Sequence, residues 1–236
     1  MSHLENKVAL ITGAGQGVGQ GIALAMSDAG AKIAVAGRTP EKLDATCALI
    51  EERGGTAIAL TANVKDADDL SRIVEDTVAE LSGIDILVNN AQEVPMGDLE
   101  NITDEAYLAG FISGPLATLR LMKLVRPHMK KRGAGVIFNL VSSAGIRWDM
   151  AGYGAYGSVK QAIRPLTRAA ASEWGADNIR VLAIAPHAES PGLKWWMENN
   201  PEEAEEFFKT IPLGRVGKCE EDIGRAVVSL CSPDMA

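Results

Sequence analysis

The chain has 236 residues, 47% of them hydrophobic and 23% charged, which fits one large globular domain and excludes wholesale disorder. Its 23 Lys and Arg against 31 Asp and Glu leave a formal net charge of -8, so the cationic excess that a nucleic-acid or anionic-membrane partner requires is missing. No apolar run approaches the roughly 20 residues that span a bilayer, and the start MSHLENKVALITG lacks an export-signal pattern. Cys47, Cys219 and Cys231, like His3, His128 and His187, are scattered without metal-ligand spacing. The expectation is a reduced, cytoplasmic, single-domain protein over residues 1–236 with no metal.

In chain order, the first β-branched run is 7–12 (KVALIT). The turn after it, Thr12-Gly13-Ala14-Gly15-Gln16-Gly17-Val18-Gly19, opens a helix. Glycines there let backbone N–H groups approach a pyrophosphate, and the helix N-terminus favours its negative charge. A glycine cluster alone is equally a tight turn; its place between strand and helix favours the phosphate. A second run, 32–37 (KIAVAG), leads to Arg38, and Pro40 and Gly54-Gly55 bracket a helix over 41–53. Run 56–61 (TAIALT) precedes a helix over 66–81, followed by runs 84–90 (IDILVNN), 135–141 (GVIFNLV) and 179–185 (IRVLAIA). The runs are apolar along most of their length, as strands buried on both faces are. Strand–helix alternation predicts an α/β protein with a doubly wound parallel sheet. Gly114-Pro115 should kink the helical stretch before 135, because Pro115 has no N–H to donate, and the carbonyl so freed is a candidate water anchor. Residues 187–212, rich in Pro, Gly, Trp and Asn, read as a lid-like excursion with one or two short helices.

The end of the fifth run carries Ser142-Ser143, and Tyr153 to Lys160 opens the next helix. Tyr156 and Lys160, at i and i+4, share a face, whereas Tyr153 has Gly157 as its i+4 partner. A phenol titrates near pH 10 in water, and a nearby ammonium would favour phenolate and lower that value. Tyr156 can then donate a proton to a carbonyl oxygen or take one from an alcohol. By itself Tyr-xxx-Lys is common, and both serines serve equally as turn residues at a strand end.

TGAGQGVG, IDILVNNAQ and the Ser-Tyr-xxx-Lys set occur in order between about residues 7 and 233, and the chain thereby resembles the short-chain dehydrogenase/reductase family. The resemblance implies a Rossmann-type single domain that binds NAD or NADP and interconverts ketones and secondary alcohols. It implies Ser143, thirteen positions before Tyr156, together with Tyr156 and Lys160 as the catalytic set. Ser143 would hold the substrate oxygen as charge develops there. Cofactor contacts carry over to Gly13, Gln16, Gly17, Val18 and Gly19 in the turn, and to Arg38. Asn63 and Val64 fall beside the adenine, Asn90 and Ala91 at the nicotinamide ribose, and Tyr156, Lys160, Pro186 and Ser190 at the nicotinamide end. Gly37 stands where NAD-preferring relatives carry Asp, and the Arg38 guanidinium can grip a 2′-phosphate. NADP(H) is therefore expected ahead of NAD(H), the alternative being a solvated surface Arg38; Gln16 is neutral where many NADP users carry a second cation.

The chain departs from the family at several places. Gln92 replaces a glycine, and either narrows the site or points to solvent. Gly114 stands where many relatives carry an asparagine that helps hold a water in a proton path to the lysine. His187 replaces another glycine, and Ser190 a threonine. Relatives continue beyond Pro233 with a final strand that commonly contributes to subunit contacts, whereas this sequence stops at Ala236. A homo-oligomer, dimer or tetramer, is expected. Trp148, Met150, Trp195, Trp196, Met197, Phe207 and Phe208 form either an apolar pocket for a bulky substrate or the packing of the lid or a subunit contact. A catalytically weak dinucleotide sensor is the alternative that Gln92, Gly114 and His187 motivate, and reduction of an activated double bond is a third.

Overall fold

The computed structural model describes residues 4–146 and 151–235. β1 (Val8–Thr12) is buried along its whole length and pairs in parallel with β2 (Lys32–Gly37) on one side and β4 (Ile86–Asn89) on the other. β3 (Thr56–Thr61) lies beyond β2, and β5 (Gly135–Leu140) and β6 (Ile179–Ile184) beyond β4, in the order β3-β2-β1-β4-β5-β6. All the pairings are parallel. The central strands are the continuously apolar ones, while the outer strand β3 exposes Thr56, Ala59 and Thr61. The six predicted runs all form strands, with ends within two residues of the expected ones.

Helices cover both faces. α1 (Gly17–Asp28), α2 (Pro40–Glu52) and α9 (Arg225–Leu230) pack over Ile11, Val35, Val88 and Phe138. α3 (Ala67–Leu81), α5 (Ala117–Arg132) and the second half of α6 (Gly154–Trp174) pack over Leu10, Leu87 and Ile137. Local signals set the ends: Pro40 starts α2, the Asp66 carboxylate accepts from Asp68 and Asp69 N–H at the start of α3, and Gly133 at φ 80° ends α5.

α4 (Asp104–Phe111) runs into α5 through a π-turn, Ile112–Leu116, where the sequence predicts a kink. Pro115 removes a donor there, and the Ser113 hydroxyl donates to the Ala109 carbonyl at 2.7 Å. By length and composition alone, the continuous helical stretch Asp104–Arg132 is long and apolar enough to cross a membrane. Its buried side chains, Leu121, Met122, Val125 and Met129 among them, pack into the protein's own core. Over 187–212 the chain forms α7 (Pro191–Asn199) and α8 (Pro201–Lys209).

The order in which strands are added reverses between β1 and β4, so the crossovers leave in opposite directions and a crevice opens beyond their C-terminal ends. The glycine turn, Asn90, Ser142 and the first turn of α6 line that crevice or pack against it.

Candidate active site

The glycine turn is shaped around Asn90. The Asn90 Nδ2 donates to the Thr12 and Gly13 carbonyls at 2.9 and 3.0 Å, while Thr12 Oγ1 accepts from the backbone N–H of Asn90 and Ala91. Gly13 sits at φ 65°, and a Cβ on it would stand 2.7 Å from Asn90 Nδ2. A Cβ on Gly19 would meet the Gly13 carbonyl oxygen at 2.4 Å. Gly19 thus packs the helix against the turn instead of lining the cleft, and Asn90 acts as a clamp whose donors are taken. α1 begins without a side-chain cap and without an acidic residue in its first turn. Its first N–H groups therefore keep the polarity that suits a bound phosphate.

The cleft, about 600 Å³, is lined by Gly13, Gln16, Gly17, Val18, Arg38, Asn63, Val64, Asn90, Tyr156, Lys160, Pro186 and Ser190 among others. At the β2 end, Arg38 Nη1 and Lys65 Nζ each lie 2.9 Å from Glu93 Oε1. Lys42 Nζ donates to Gln16 Oε1 at 2.5 Å. Arg38 is thus engaged across the cleft; Lys42 and Glu93 line it and Lys65 joins through Glu93, and motif matching missed all three. Asn63 Oδ1 already accepts from Lys65 N–H at 3.1 Å, which leaves its second lone pair and its amide donors for another group. The Ser190 hydroxyl caps α7 by accepting from Leu193 N–H.

At the other end, the structure brings Ser142, and not the expected Ser143, to the wall of the cleft. The Ser142 side chain is near enough to Tyr156 to bear on its titration. Ser142 lines the cleft with Tyr156 and Lys160, and Ser143, which opens a short 3-10 turn, does not. Ser142 is still in extended backbone, φ -144° and ψ 151°, and Ser143 after it is exposed. Lys160, 6% exposed, donates to the Leu140 carbonyl at 2.7 Å, with its Nζ 5.9 Å from the centre of the Tyr156 ring.

Burial governs both titrations. It pushes the Tyr156 phenol above its ordinary value, the Ser142 side chain offsetting part of this and Tyr153 adding to it. Burial also pushes the Lys160 ammonium down to about 7. The phenol thus moves upward in the protein alone, opposite to the acidification by the ammonium that the sequence led us to expect.

On the substrate side, Trp196 and His187 meet the edge or face of Phe207 at 5.7 and 5.2 Å between centroids, so these rings pack α7 and α8 together. Trp195 is 64% exposed, and Val94 and Leu193 line the cleft. Trp148 and Met150 lie outside the described residues.

The short chain dehydrogenase family model matches residues 7–196. The 12alpha-hydroxysteroid dehydrogenase of Clostridium sp. is 37% identical over 242 residues, covering 99% of this chain and 93% of its own. A 7α-hydroxysteroid dehydrogenase structure, complexed with NADH and 7-oxo glycochenodeoxycholic acid, superposes with a TM-score of 0.93 at 31% identity, over 99% of this chain and 90% of that one. A structure described as an NAD(P)-dependent gluconate 5-dehydrogenase from Beutenbergia cavernae, with NADP at low occupancy, gives a TM-score of 0.89 at 29% identity, over 98% and 91% of the two chains.

Proposed function

Because the chain belongs to the short-chain dehydrogenase family, whose enzymes act on CH–OH and C=O groups with a nicotinamide cofactor, we propose that it interconverts a bulky, apolar ketone and its secondary alcohol with NADP(H). The observation that carries the reading is the meeting of Tyr156, Ser142 and buried Lys160 in the cleft that the glycine turn opens. The residues suit such a cofactor: an uncapped helix start for the pyrophosphate at one end, and Arg38 and Lys65 gathered on a carboxylate at the other. A 2′-phosphate would take Glu93's place between those two cations.

The cofactor supplies or accepts the hydride. Tyr156 donates its proton to the carbonyl oxygen in reduction and takes it back in oxidation. Ser142 holds the same oxygen as charge develops on it. Lys160, fixed on the Leu140 carbonyl, stands by the phenol ring as a group able to change its protonation near neutrality. Val94, Leu193 and the exposed Trp195 favour an apolar substrate, and α7 and α8 serve as its lid. The sensor alternative gains no support from a site in which the proton donor and its hydroxyl partner are assembled.

The test is one set of initial rates for NADPH and NADH against oxo-steroids, aryl ketones and keto sugar acids. Bulky ketones with NADPH should give the highest kcat/KM. Arg38→Asp should lower the NADPH-to-NADH ratio by about 10–100-fold, the worth of one to two charged hydrogen bonds. A preference for sugar acids would contradict the substrate, and an unchanged ratio would remove Arg38 from the site.

A further inference from the structure

Three cations and one carboxylate gather beside the end of β2. Lys42 is held on Gln16 Oε1 at 2.5 Å, which leaves Arg38 and Lys65 to the carboxylate of Glu93. Both stand 2.9 Å from the same oxygen, Glu93 Oε1, and Oε2 has no partner among the described residues. Gly37, on the same wall, brings no side chain of its own. The acid at this end of the cleft therefore comes from the loop after β4, 55 positions from Arg38.

That loop is fixed at its root. Glu93 N–H donates to Ser113 Oγ at 3.0 Å, and Gln92 packs against Gly114, where a Cβ would stand 3.1 Å from Gln92 Cδ. The backbone is thus held, while the Glu93 side chain can turn about its own bonds. Its ion pairs are weak holds. The Arg38 side chain is 63% exposed and that of Glu93 30%, and an exposed pair is worth up to about fivefold in an equilibrium constant.

The two nicotinamide cofactors differ only at the adenosine ribose, where one carries a 2′-phosphate and the other a hydroxyl. An acid suits the hydroxyl, whose proton it accepts in a hydrogen bond, and an arginine suits the phosphate. Here both groups meet at one point. A phosphate with nearly two negative charges repels a carboxylate from the same two cations. A hydroxyl can be bound by that carboxylate with both ion pairs intact.

We propose that Glu93 sets the choice between NADP(H) and NAD(H). Seated on Arg38 and Lys65, it accepts from the ribose hydroxyl of NAD(H), and it leaves both cations when they take the 2′-phosphate of NADP(H). This role rests on the reading of Arg38 as a phosphate ligand given above. The preference for NADP(H) is then smaller than two cations alone would give, because only molecules with Glu93 displaced are competent. With two pairs each worth up to about fivefold, that fraction is about a tenth.

Isothermal titration calorimetry of the whole protein with NADPH, NADH, adenosine 2′,5′-bisphosphate and 5′-AMP tests this without turnover. Glu93→Ala should tighten NADPH and the bisphosphate about tenfold, since the competitor is gone. The same substitution should weaken NADH and 5′-AMP about tenfold, since a hydrogen bond to a carboxylate is lost. Shifts of opposite sign are the signature: damage to the fold weakens all four ligands, and a general loss of negative charge strengthens all four. Glu93→Gln keeps an acceptor without the charge, and should tighten NADPH equally while NADH stays within about threefold. NADPH and NADH moving together in Glu93→Ala, or neither moving in either variant, would overturn the proposal. Arg38→Asp separates the two levels. If it leaves the relative affinity for NADPH and NADH unchanged, the reading of Arg38 fails; if it weakens NADPH selectively while both Glu93 variants bind like the parent, only the role of Glu93 fails.

Discussion

Replacing Tyr156 with Phe is expected to lower kcat for ketone reduction by about 10²–10⁴-fold, the usual worth of a positioned general acid. The substitution removes one oxygen from a largely buried ring and leaves the packing of α6 in place. NADPH should therefore bind as before, and fluorescence titration checks this alongside the rate of NADPH oxidation. Direction of reaction adds a second signature. Burial holds the Tyr156 phenol above its ordinary value, so at neutral pH it keeps the proton that reduction needs. Alcohol oxidation needs the phenolate, and in the parent enzyme its rate should climb with rising pH. A Tyr156→Phe enzyme with parental kcat would remove the phenol from the reaction.

The largest stability effect is expected at the opposite end of the sheet, from Asp85→Ala. Asp85, 5% exposed, accepts from Val8 N–H at 2.9 Å and takes Arg132 Nε and Nη2 at 2.9 and 2.8 Å, one on each carboxylate oxygen. It thereby ties the start of β1 and the approach to β4 to the last turn of α5. Removing it strands the Val8 N–H in the buried sheet and leaves the Arg132 guanidinium without its bidentate partner. Breaking a buried pair from one side costs about 3–5 kcal/mol, and the lower end applies because Arg132 is partly exposed. Urea unfolding should show a loss near 3 kcal/mol, with kcat little changed below the melting range because the cleft lies beyond the other end of the strands. A loss under about 1 kcal/mol would mean that the network adds little to the fold.

The elements were readable because their signals are local. Strands buried on both faces give apolar runs that stand out in any window, and Pro40, Asp66 and Gly133 mark helix ends with their own backbone chemistry. The glycine turn and the Tyr156–Lys160 pair were readable for the same reason, since both lie within one turn or helix. What the sequence concealed depends on contacts between distant segments. Counting thirteen positions back from Tyr156 selects Ser143, and the count alone does not say which of the two adjacent serines lines the cleft. The extended backbone leaving β5 carries Ser142 to the cleft wall that Tyr156 and Lys160 also line. Attention to strand alternation from buried Asn139 would not have been enough, because the chain bends at the 3-10 turn. Asn90 lines the cleft as the sequence leads one to expect, but that its amide donors hold the Thr12 and Gly13 carbonyls shows only in the fold. Gln92 and Gly114, twenty-two positions apart, become one feature only when packed together. Glu93 joins Arg38 and Lys65 in the same way, from three different loops.

The two adjacent serines give the most direct test of the site. Their alanine variants, assayed side by side with NADPH and a bulky ketone, differ only in which hydroxyl is missing. Ser142→Ala should lose about 10²-fold or more in kcat, the range seen when one donor to a developing oxyanion is removed, with Ser143→Ala within about threefold of the parent. The reverse order, or equal and small effects at both positions, would contradict a proton-transfer site built from Ser142, Tyr156 and Lys160.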